Sequence, residues 1–199
     1  MDVELIVVDG GSTDDTISIA KEFTKKVLAS PPGRAKQMNE GAKTAEGEIL
    51  LFLHADARIT HGGLGKITPA IIGTPAVGGA FQLGIDSNSL LLRTVAWFAN
   101  LRTRITKTPY GDQGIFITKS TFQKIGGFPD IPIMEDVEMA KKMKKEGKIA
   151  LLREAVITSP RRWNQEGVLC TTLRNRGLMM AYRLGVPPRI LAGWRRVVR

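Results

Sequence analysis

The sequence predicts an α/β protein with a mostly parallel central sheet flanked by helices and a basic helical segment at its C-terminus. The apolar run at residues 49–53 has no polar alternation, which is typical of a strand covered on both faces. Strands and helices also alternate before and after it, and this order favours a parallel sheet. A length of 199 residues suits one substantial core. We expect residues 1–160 to form the α/β domain and residues 161–199 a helical extension packed on it.

The positive charge is concentrated near the C-terminus. The net charge is +10, and residues 161–199 hold nine arginines, no lysine and one acid, Glu166. This asymmetry predicts an acidic partner surface, either anionic lipid or nucleic acid. No apolar run approaches the ~20 residues needed to span a bilayer, and no signal peptide is predicted. The single Cys170, which we expect to be buried, fits a reducing compartment such as the cytoplasm.

The first predicted strand, residues 3–8, runs into the segment DGGSTDDT at residues 9–16. Gly10 and Gly11 would let the backbone approach a ligand closely. Asp9, at the carboxyl end of the strand, could receive a ribose or a base N–H. A simple turn into the next helix, whose apolar positions run from Ile17 to Val27, explains the segment as well.

A second predicted helix follows the loop at residues 30–33, and its inward alanines end near residue 47. Arg34 at its start is unfavourable for the helix dipole. An anionic ligand nearby would explain this position, and so would a solvated arginine. After the next strand come His54 and Asp56, which would share one face if the strand geometry persisted. Such a pair could hold a divalent cation, although Asp56 could equally cap the next turn.

The second half of the chain contributes further strands, helices and one acidic helix start. We predict strands within residues 78–83 and 115–117, and helices over residues 89–105 and 118–125. Another helix opens with Glu135 and Asp136, which suit the positive end of the helix dipole. The functional interpretation is that one of these two carboxylates is a general base. Residues 168–199 predict two more helices separated by residues 185–188.

Four segments together resemble a family 2 glycosyltransferase of the GT-A type. They are VVDGGSTDDT (7–16), GRAKQMNEGAKTAEGEILLFLHAD (33–56), YGDQGIFITKSTFQKIGGF (110–128) and IMEDVEMAKKMKKEG (133–147). They cover about two thirds of the chain. The residues at 161–163 and 184–188 are similar to a bacterial subgroup labelled selenodomain-associated transferases.

The resemblance implies an inverting transfer of a sugar from a nucleotide-diphosphate donor to an acceptor hydroxyl. The acceptor itself, whether a lipid, a saccharide or a small molecule, is not implied. Asp136, beside Glu135, would be the catalytic base, and Asp56 with His54 would hold Mn²⁺ or Mg²⁺ against the diphosphate. The implied nucleotide-binding residues are Asp9, Gly10, Gly11, Arg34 and Ala55, and the implied acceptor-side residues are Gly111, Asp112 and Gln113.

Two features depart from the family pattern. His54 stands where the family has the first acid of its metal-binding element, and an imidazole suits Mn²⁺ better than Mg²⁺. The family also has a strand before the position of Val3. The chain would therefore be truncated, or its sheet would be rearranged with residues 3–8 at an exposed position. The alternative to an active enzyme is a truncated or degenerate homologue that does not catalyse and that binds anionic membrane or nucleic acid through its basic C-terminal segment.

Two other function classes fit the sequence less well. A nucleotidyltransferase would need a glycine-rich phosphate loop near the N-terminus, which this sequence lacks. A non-catalytic protein bound to nucleic acid through the basic segment leaves the acidic motifs unexplained, so nucleic acid is disfavoured. Helices that combine arginines with Leu and Trp194 suit an anionic bilayer surface. We therefore expect a cytoplasmic protein that sits peripherally at the inner face of the cytoplasmic membrane.

Overall fold

The computed structural model describes residues 2–194 and places them in an α/β fold. The strands are β1 (Ile6–Asp9), β2 (Lys26–Ala29), β3 (Ile49–Phe52), β4 (Ala57–Ile59), β5 (Ala76–Ile85), β6 (Ile115–Thr118) and β7 (Lys148–Thr158). The helices are α1 (Thr16–Phe23), α2 (Arg34–Thr44), α3 (Ile67–Ile71), α4 (Leu90–Thr106), α5 (Lys119–Lys124), α6 (Glu135–Glu146), α7 (Arg161–Glu166), α8 (Val168–Arg183) and α9 (Pro188–Trp194). Short 3-10 turns occupy Leu64–Lys66 and Gly111–Gln113.

The strands form two sheets rather than one. β1 and β2 pair in parallel, and the other five strands form a sheet in the order β3-β6-β5-β7-β4. In that sheet only β5 and β7 run parallel, while the pairs β3/β6, β5/β6 and β4/β7 are antiparallel. The prediction of a mostly parallel sheet was therefore wrong, because the main sheet is mixed.

The error came from reading burial as strand direction. In β6, Ile115, Phe116 and Ile117 are all fully buried, although both neighbouring strands run antiparallel to β6. An unbroken apolar run is expected wherever a strand is covered on both faces, whatever the direction of its neighbours. The run at residues 49–53 forms β3, which lies at one edge of the described five-stranded sheet, and Leu50 is its one buried residue. The prediction of a strand there was therefore right, and the prediction that this strand is covered on both faces was wrong.

Helix α2 connects the two sheets through side-chain packing. Gly41 lies against β1, since a Cβ added there would meet the Val8 side chain at 3.1 Å. On the same helix, Ala35 and Ala42 belong to the core cluster that also contains Leu50 of β3. Ile6 of β1 packs against this cluster. In the described residues β1 pairs with β2 alone and β3 with β6 alone. Because α2 packs against both β1 and the cluster that contains Leu50 of β3, it keeps these two strands next to each other.

Several sequence expectations changed at the level of single elements. The first strand begins at Ile6 rather than at residue 3, and Val27 lies in β2 rather than in helix α1. Phe23, expected to face inward, is exposed. Cys170 is also exposed, against the expectation of a buried thiol. In the C-terminal extension, Leu178 and Leu191 form a small core with Ile133.

Candidate active site

The Asp136 carboxylate is fixed at the start of α6 by two backbone donors. Its Oδ2 accepts a hydrogen bond from the N–H of Gly111 at 2.7 Å, and its Oδ1 accepts one from the N–H of Val137 at 2.8 Å. Met134, the residue before the helix, has a left-handed backbone with φ 68°, which turns the chain sharply into α6. Asp136 is half-buried. A carboxylate held in this way has one orientation and remaining lone pairs that can accept a proton.

His54 lies next to the same glycine. A Cβ added to Gly111 would lie 3.0 Å from Nε2 of His54 and 3.4 Å from Oδ2 of Asp136. Gly111 therefore contacts His54 on one side and Asp136 on the other. The structure thus brings together three of the predicted site residues, from the end of β3, the 3-10 turn at Gly111–Gln113 and the start of α6.

Asp112 adds a second carboxylate beside Asp136. The pKa of Asp112 is raised from its ordinary 3.8 to about 6, chiefly by burial and then by the charge of Asp136, while Arg102 and Arg34 act in the opposite direction. Two close carboxylates disfavour each other's ionisation. Asp112 therefore titrates in the range where an enzyme of this kind would work.

Glu135 is buried and forms an ion pair with Arg34. Nη2 of Arg34 lies 2.7 Å from Oε1 of Glu135, and the Glu135 side chain is only 2% exposed. This pair explains the arginine at the first position of α2, where the helix dipole disfavours a cation. Glu135 was predicted as catalytic together with Asp136. In the structure its carboxylate ties the start of α6 to the start of α2.

Gln113 was predicted on the acceptor side, but its side chain is directed into the fold. It is 1% exposed, and its Oε1 accepts hydrogen bonds from the hydroxyl of Thr103 at 2.8 Å and the N–H of Tyr110 at 3.1 Å. Its Nε2 donates to the carbonyl of Phe81 at 3.3 Å. Gln113 therefore fixes the turn that presents Gly111 and Asp112, rather than offering its own polar atoms to a ligand.

Asp9 organises the loop after β1. Its Oδ2 accepts hydrogen bonds from the N–H groups of Gly11 at 2.8 Å and Ser12 at 3.0 Å. A hydrogen bond from the Ser12 side chain, followed by these backbone bonds, lowers the pKa of Asp9. Gly10 packs closely, since a Cβ there would meet the Gln37 side chain at 3.0 Å, and Gly11 has a φ of 99° that favours glycine. Asp9 therefore holds the shape of this loop.

Asp56 and Ala55 lie in a turn rather than on the strand. β3 ends at Phe52, and the N–H of Ala57 donates to the carbonyl of His54 at 3.1 Å, closing a turn over residues 54–57. The condition for His54 and Asp56 to share a face, continued strand geometry, is therefore not met. Asp56 is exposed and lines a cavity of about 260 Å³ whose wall includes Arg58 and Ser159.

The donor groups for a metal ion are few. Within residues 2–194 no three His, Cys, Asp or Glu side chains are grouped so that they could hold a metal. The carboxylate of Asp56 and the imidazole of His54 are donor types that suit Mn²⁺, but the turn over residues 54–57 does not set them on one face. The residues fit a cation carried in with a nucleotide better than a permanently bound one.

Some contributors to the site were not predicted from the sequence. The Arg102 guanidinium lies over the Tyr110 ring, 3.2 Å from its centroid, and supports the turn before Gly111. Gln37 donates to the carbonyl of Val8 at 3.0 Å and so attaches α2 to the loop after β1. Neither residue belongs to a chemical motif, and only their contacts in the fold identify them.

Comparison with known proteins gives a consistent result. Residues 1–125 match the family model described as glycosyl transferase family 2. The O-antigen chain rhamnosyltransferase RfbN of Salmonella typhimurium is 27% identical over 177 residues, covering 77% of this chain and 56% of that protein. The probable glycosyltransferase YdaM of Bacillus subtilis is 26% identical over 194 residues, covering 82% of this chain and 43% of that protein. The chain therefore spans about half the length of these relatives.

Solved structures show the same fold. The S. aureus TarS 1–349 structure in complex with UDP aligns with a TM-score of 0.61 and 20% identity, over 78% of this chain and 51% of that chain. The corresponding complex with UDP-GlcNAc has a TM-score of 0.60 and 21% identity, over 78% and 49% of the two chains. This likeness confirms the predicted GT-A architecture. Because the family model covers well over half of the 199 residues, we conclude that this chain belongs to glycosyl transferase family 2.

Proposed function

We propose that the chain is the catalytic part of an inverting glycosyltransferase that uses a nucleotide-diphosphate sugar, with Asp136 as the base. The observation that carries this proposal is the fixed position of the Asp136 carboxylate between the N–H of Gly111 and its own helix start, next to His54. A carboxylate in the first turn of a helix also suits the helix dipole, but that role does not call for a fixed orientation with free lone pairs. A general base does require it.

The reaction balances with Asp136 in this role. The acceptor hydroxyl oxygen forms a bond to the anomeric carbon while the bond from that carbon to the diphosphate oxygen breaks. The hydroxyl proton passes to the Asp136 carboxylate, and the diphosphate leaves with the bonding electrons. Attack opposite the leaving group inverts the configuration of the anomeric carbon. A positioned base of this kind contributes about 10²–10⁴-fold to the rate.

On the donor side we assign the nucleotide to the loop after β1 and the turn after β3. Asp9 keeps Gly10 and Gly11 in an open loop whose backbone can approach the base or ribose. Asp56 and His54 would hold Mn²⁺ or Mg²⁺, which would act as a Lewis acid toward the departing diphosphate. The exposed Ala55 backbone lies between these two residues.

The relatives support a nucleotide-sugar donor without identifying it. TarS has been solved with UDP and with UDP-GlcNAc, whereas RfbN is described as a rhamnosyltransferase. A UDP-sugar is therefore the first donor to test. The proposal also places the chain in the selenodomain-associated subgroup, based on residues 161–163 and 184–188, and leaves the acceptor undefined.

The test compares Asp136→Asn with Glu138→Gln, a matched change two residues further along in the same first turn of α6. Release of nucleoside diphosphate from UDP-, GDP-, dTDP- and CDP-sugars is followed, and binding of the nucleotide is measured separately. We expect Asp136→Asn to lose ~10²-fold or more of the turnover with unchanged nucleotide binding, and Glu138→Gln to keep most of it. Full turnover in Asp136→Asn would show that Asp136 is not the base.

A second candidate is a degenerate homologue that binds without catalysing. The small donor set for a cation favours it, because only Asp56 and His54 are available at the turn after β3. This candidate predicts nucleotide binding that is insensitive to Mn²⁺ and no release of nucleoside diphosphate from any donor by the wild-type chain.

A further inference from the structure

Helix α4 carries a long apolar stripe that faces away from the core. Its buried side chains are Leu92, Ala96 and Thr103, which share one face at 100° per residue. The opposite face exposes Leu90, Leu91, Trp97, Phe98, Leu101 and Ile105. Leu90 is 75% exposed and Ile105 is 74% exposed. Over 17 residues the stripe is about 25 Å long, far more than the scattered apolar residues of an ordinary surface.

Helix α8 carries a second stripe of the same kind. Leu169, Leu173, Met180 and Leu184 are each more than 65% exposed, and their spacing of four, seven and four residues places them on one helical face. Leu178, on the opposite face, is buried in the small core with Leu191. The helix is thus anchored by one side and leaves an apolar row on the other.

The two stripes meet. The Arg176 guanidinium, which lies within the α8 stripe, is 5.9 Å from the centroid of the Phe98 ring in the α4 stripe. Trp97 and Phe98 also pack edge-to-face against each other, with ring centroids 4.9 Å apart. The exposed rows on α4 and α8 therefore form one surface, which we call the α4/α8 surface.

The α4/α8 surface is cationic and contains no acid. Residues 87–111 and residues 167–199 include no Asp or Glu. On α4, Arg93 and Arg104 are exposed on one flank of the stripe, and on α8 Arg176 and Arg183 are exposed. In the described part of the chain no carboxylate pairs with these four arginines, whereas Arg174 is paired with Glu166. The apolar rows are thus bordered by positive charge.

We propose that the α4/α8 surface docks on an anionic lipid bilayer, with both helices lying in the plane of the interface. Leu, Ile and Trp side chains flanked by arginines are what such an interface binds, through apolar insertion and attraction to anionic headgroups. No helix within residues 2–194 is long and apolar enough to cross a membrane. The proposal extends the sequence expectation of membrane association to α4 and is independent of the proposed enzyme activity.

Other occupants fit the surface less well. In a symmetric dimer the same patch would face itself, which would bring its arginines against identical arginines with no acid to balance them. Nucleic acid would satisfy the arginines through its phosphates but would leave the six apolar side chains of α4 uncovered. Only an anionic bilayer meets both the apolar and the cationic parts.

The experiment is vesicle flotation of the full chain. Neutral phosphatidylcholine vesicles are compared with vesicles that contain roughly a third of anionic phosphatidylglycerol. We expect the protein to float only with the anionic vesicles and to be released as salt is raised. Trp97→Ser with Phe98→Ser, and separately Arg176→Gln with Arg183→Gln, should each weaken binding on the order of tenfold or more.

Matched variants control for general loss of apolar or charged surface. Phe23→Ser with Ile72→Ser changes two exposed apolar residues on other parts of the fold, and Lys21→Gln with Lys66→Gln removes two exposed cations elsewhere. Both should bind anionic vesicles like the wild-type chain. If the Trp97/Phe98 variant does not melt cooperatively, Leu91→Ser with Ile105→Ser probes the same stripe.

The outcomes separate the alternatives. Loss of flotation in both α4/α8 variants, with binding retained in both controls, supports the proposal. No flotation of the folded wild-type chain with either vesicle overturns it. If light scattering instead shows a dimer that the Trp97/Phe98 variant converts to monomer, the surface belongs to a second copy and the lipid proposal fails.

Discussion

The space between His54 and Asp136 is set by Gly111, which has no side chain to fill it. A methyl group at this position would lie 3.0 Å from Nε2 of His54 and 3.4 Å from Oδ2 of Asp136. The contact with the imidazole is tight enough that the His54 side chain must shift by a few tenths of an ångström, whereas the contact with Asp136 is at ordinary van der Waals distance. Gly111 itself is not in a left-handed conformation, so the reason for glycine here is the space and not the backbone.

We therefore predict that Gly111→Ala lowers turnover by about tenfold or more, because the methyl group displaces the His54 side chain and occupies space beside the base. Stability should change by no more than about 1 kcal/mol, since a shift of a few tenths of an ångström in the half-buried turn relieves the contact. Turnover and thermal unfolding are the measurements. Gly65→Ala is the control, because a Cβ there meets nothing within 4 Å. Equal turnover in both variants would contradict the proposed positions of His54 and Asp136.

Asp112 gives a prediction about stability and pH. Its pKa in the folded chain is raised from 3.8 to about 6, chiefly by burial and then by the charge of Asp136. The folded chain therefore binds this proton more tightly than the unfolded chain, and the stability contributed by Asp112 falls as pH rises from about 4 to about 6. Asp112→Asn removes this loss.

We predict that Asp112→Asn gains stability relative to wild type between pH 4 and pH 6, by at most about 3 kcal/mol. The gain should then stay constant to pH 8. Urea unfolding of both proteins at a series of pH values measures it. If the free energies of unfolding of the two proteins differed by the same amount at every pH, the pKa of Asp112 would not be raised in the folded chain.

Single residues differed in how well the sequence predicted them. Asp136 and Asp9 could be placed at the ends of elements because each follows a clear apolar run or opens a clear helix. The partner of Arg34 could not be predicted, because Glu135 is about 100 positions away along the chain. Gln113 was misplaced for a related reason. A polar residue in a loop looks accessible until the fold shows that its amide is buried.

At the scale of elements, the Arg34–Glu135 pair joins α2 to α6. α2 also contacts β1 through Gly41, and α6 carries Asp136. The pair therefore links the loop proposed for the nucleotide to the helix that carries the proposed base. Breaking a buried pair leaves one charge without its partner, which costs more than the pair contributed.

We predict that Arg34→Met destabilises the chain by about 1–3 kcal/mol, less than for a fully buried pair because Arg34 is partly exposed. Adding Glu135→Gln should recover a large part of this loss, and the double-mutant cycle measures their coupling. Lys36→Met, on the same helix, is the control, because its pair with Asp130 is long at 3.9 Å and largely exposed. Additive effects of the two mutations would contradict the coupling.

Elements with strong periodicity or clear end signals were predicted well. The helices α2, α4 and α6 and the strands β3, β5 and β6 were all expected close to where they lie. Strands β4 and β7 were not predicted. β4 has only three residues, and β7 includes Arg153 and Glu154 within an otherwise apolar stretch. Both are stabilised by pairing with other strands, which a local pattern does not reveal.

At the scale of the whole molecule, the family and the α/β class could be predicted, whereas strand direction and the division into two sheets could not. Strand direction depends on how distant segments pair, as in β6, which lies between β3 and β5. The sequence also did not reveal the exposed apolar stripes on α4 and α8. Apolar residues around most of α4 suggested burial, and only the fold shows which of them the core leaves uncovered.

The central claim is that these elements build a site for a nucleoside diphosphate next to a base. The most direct measurement is a calorimetric titration of the full chain with UDP, GDP, dTDP and CDP, each with and without Mn²⁺. We predict that one nucleotide binds, that Mn²⁺ strengthens its binding, and that Asp56→Ala removes the effect of Mn²⁺. If a cooperatively melting protein binds none of the four nucleotides under either condition, the claim is contradicted.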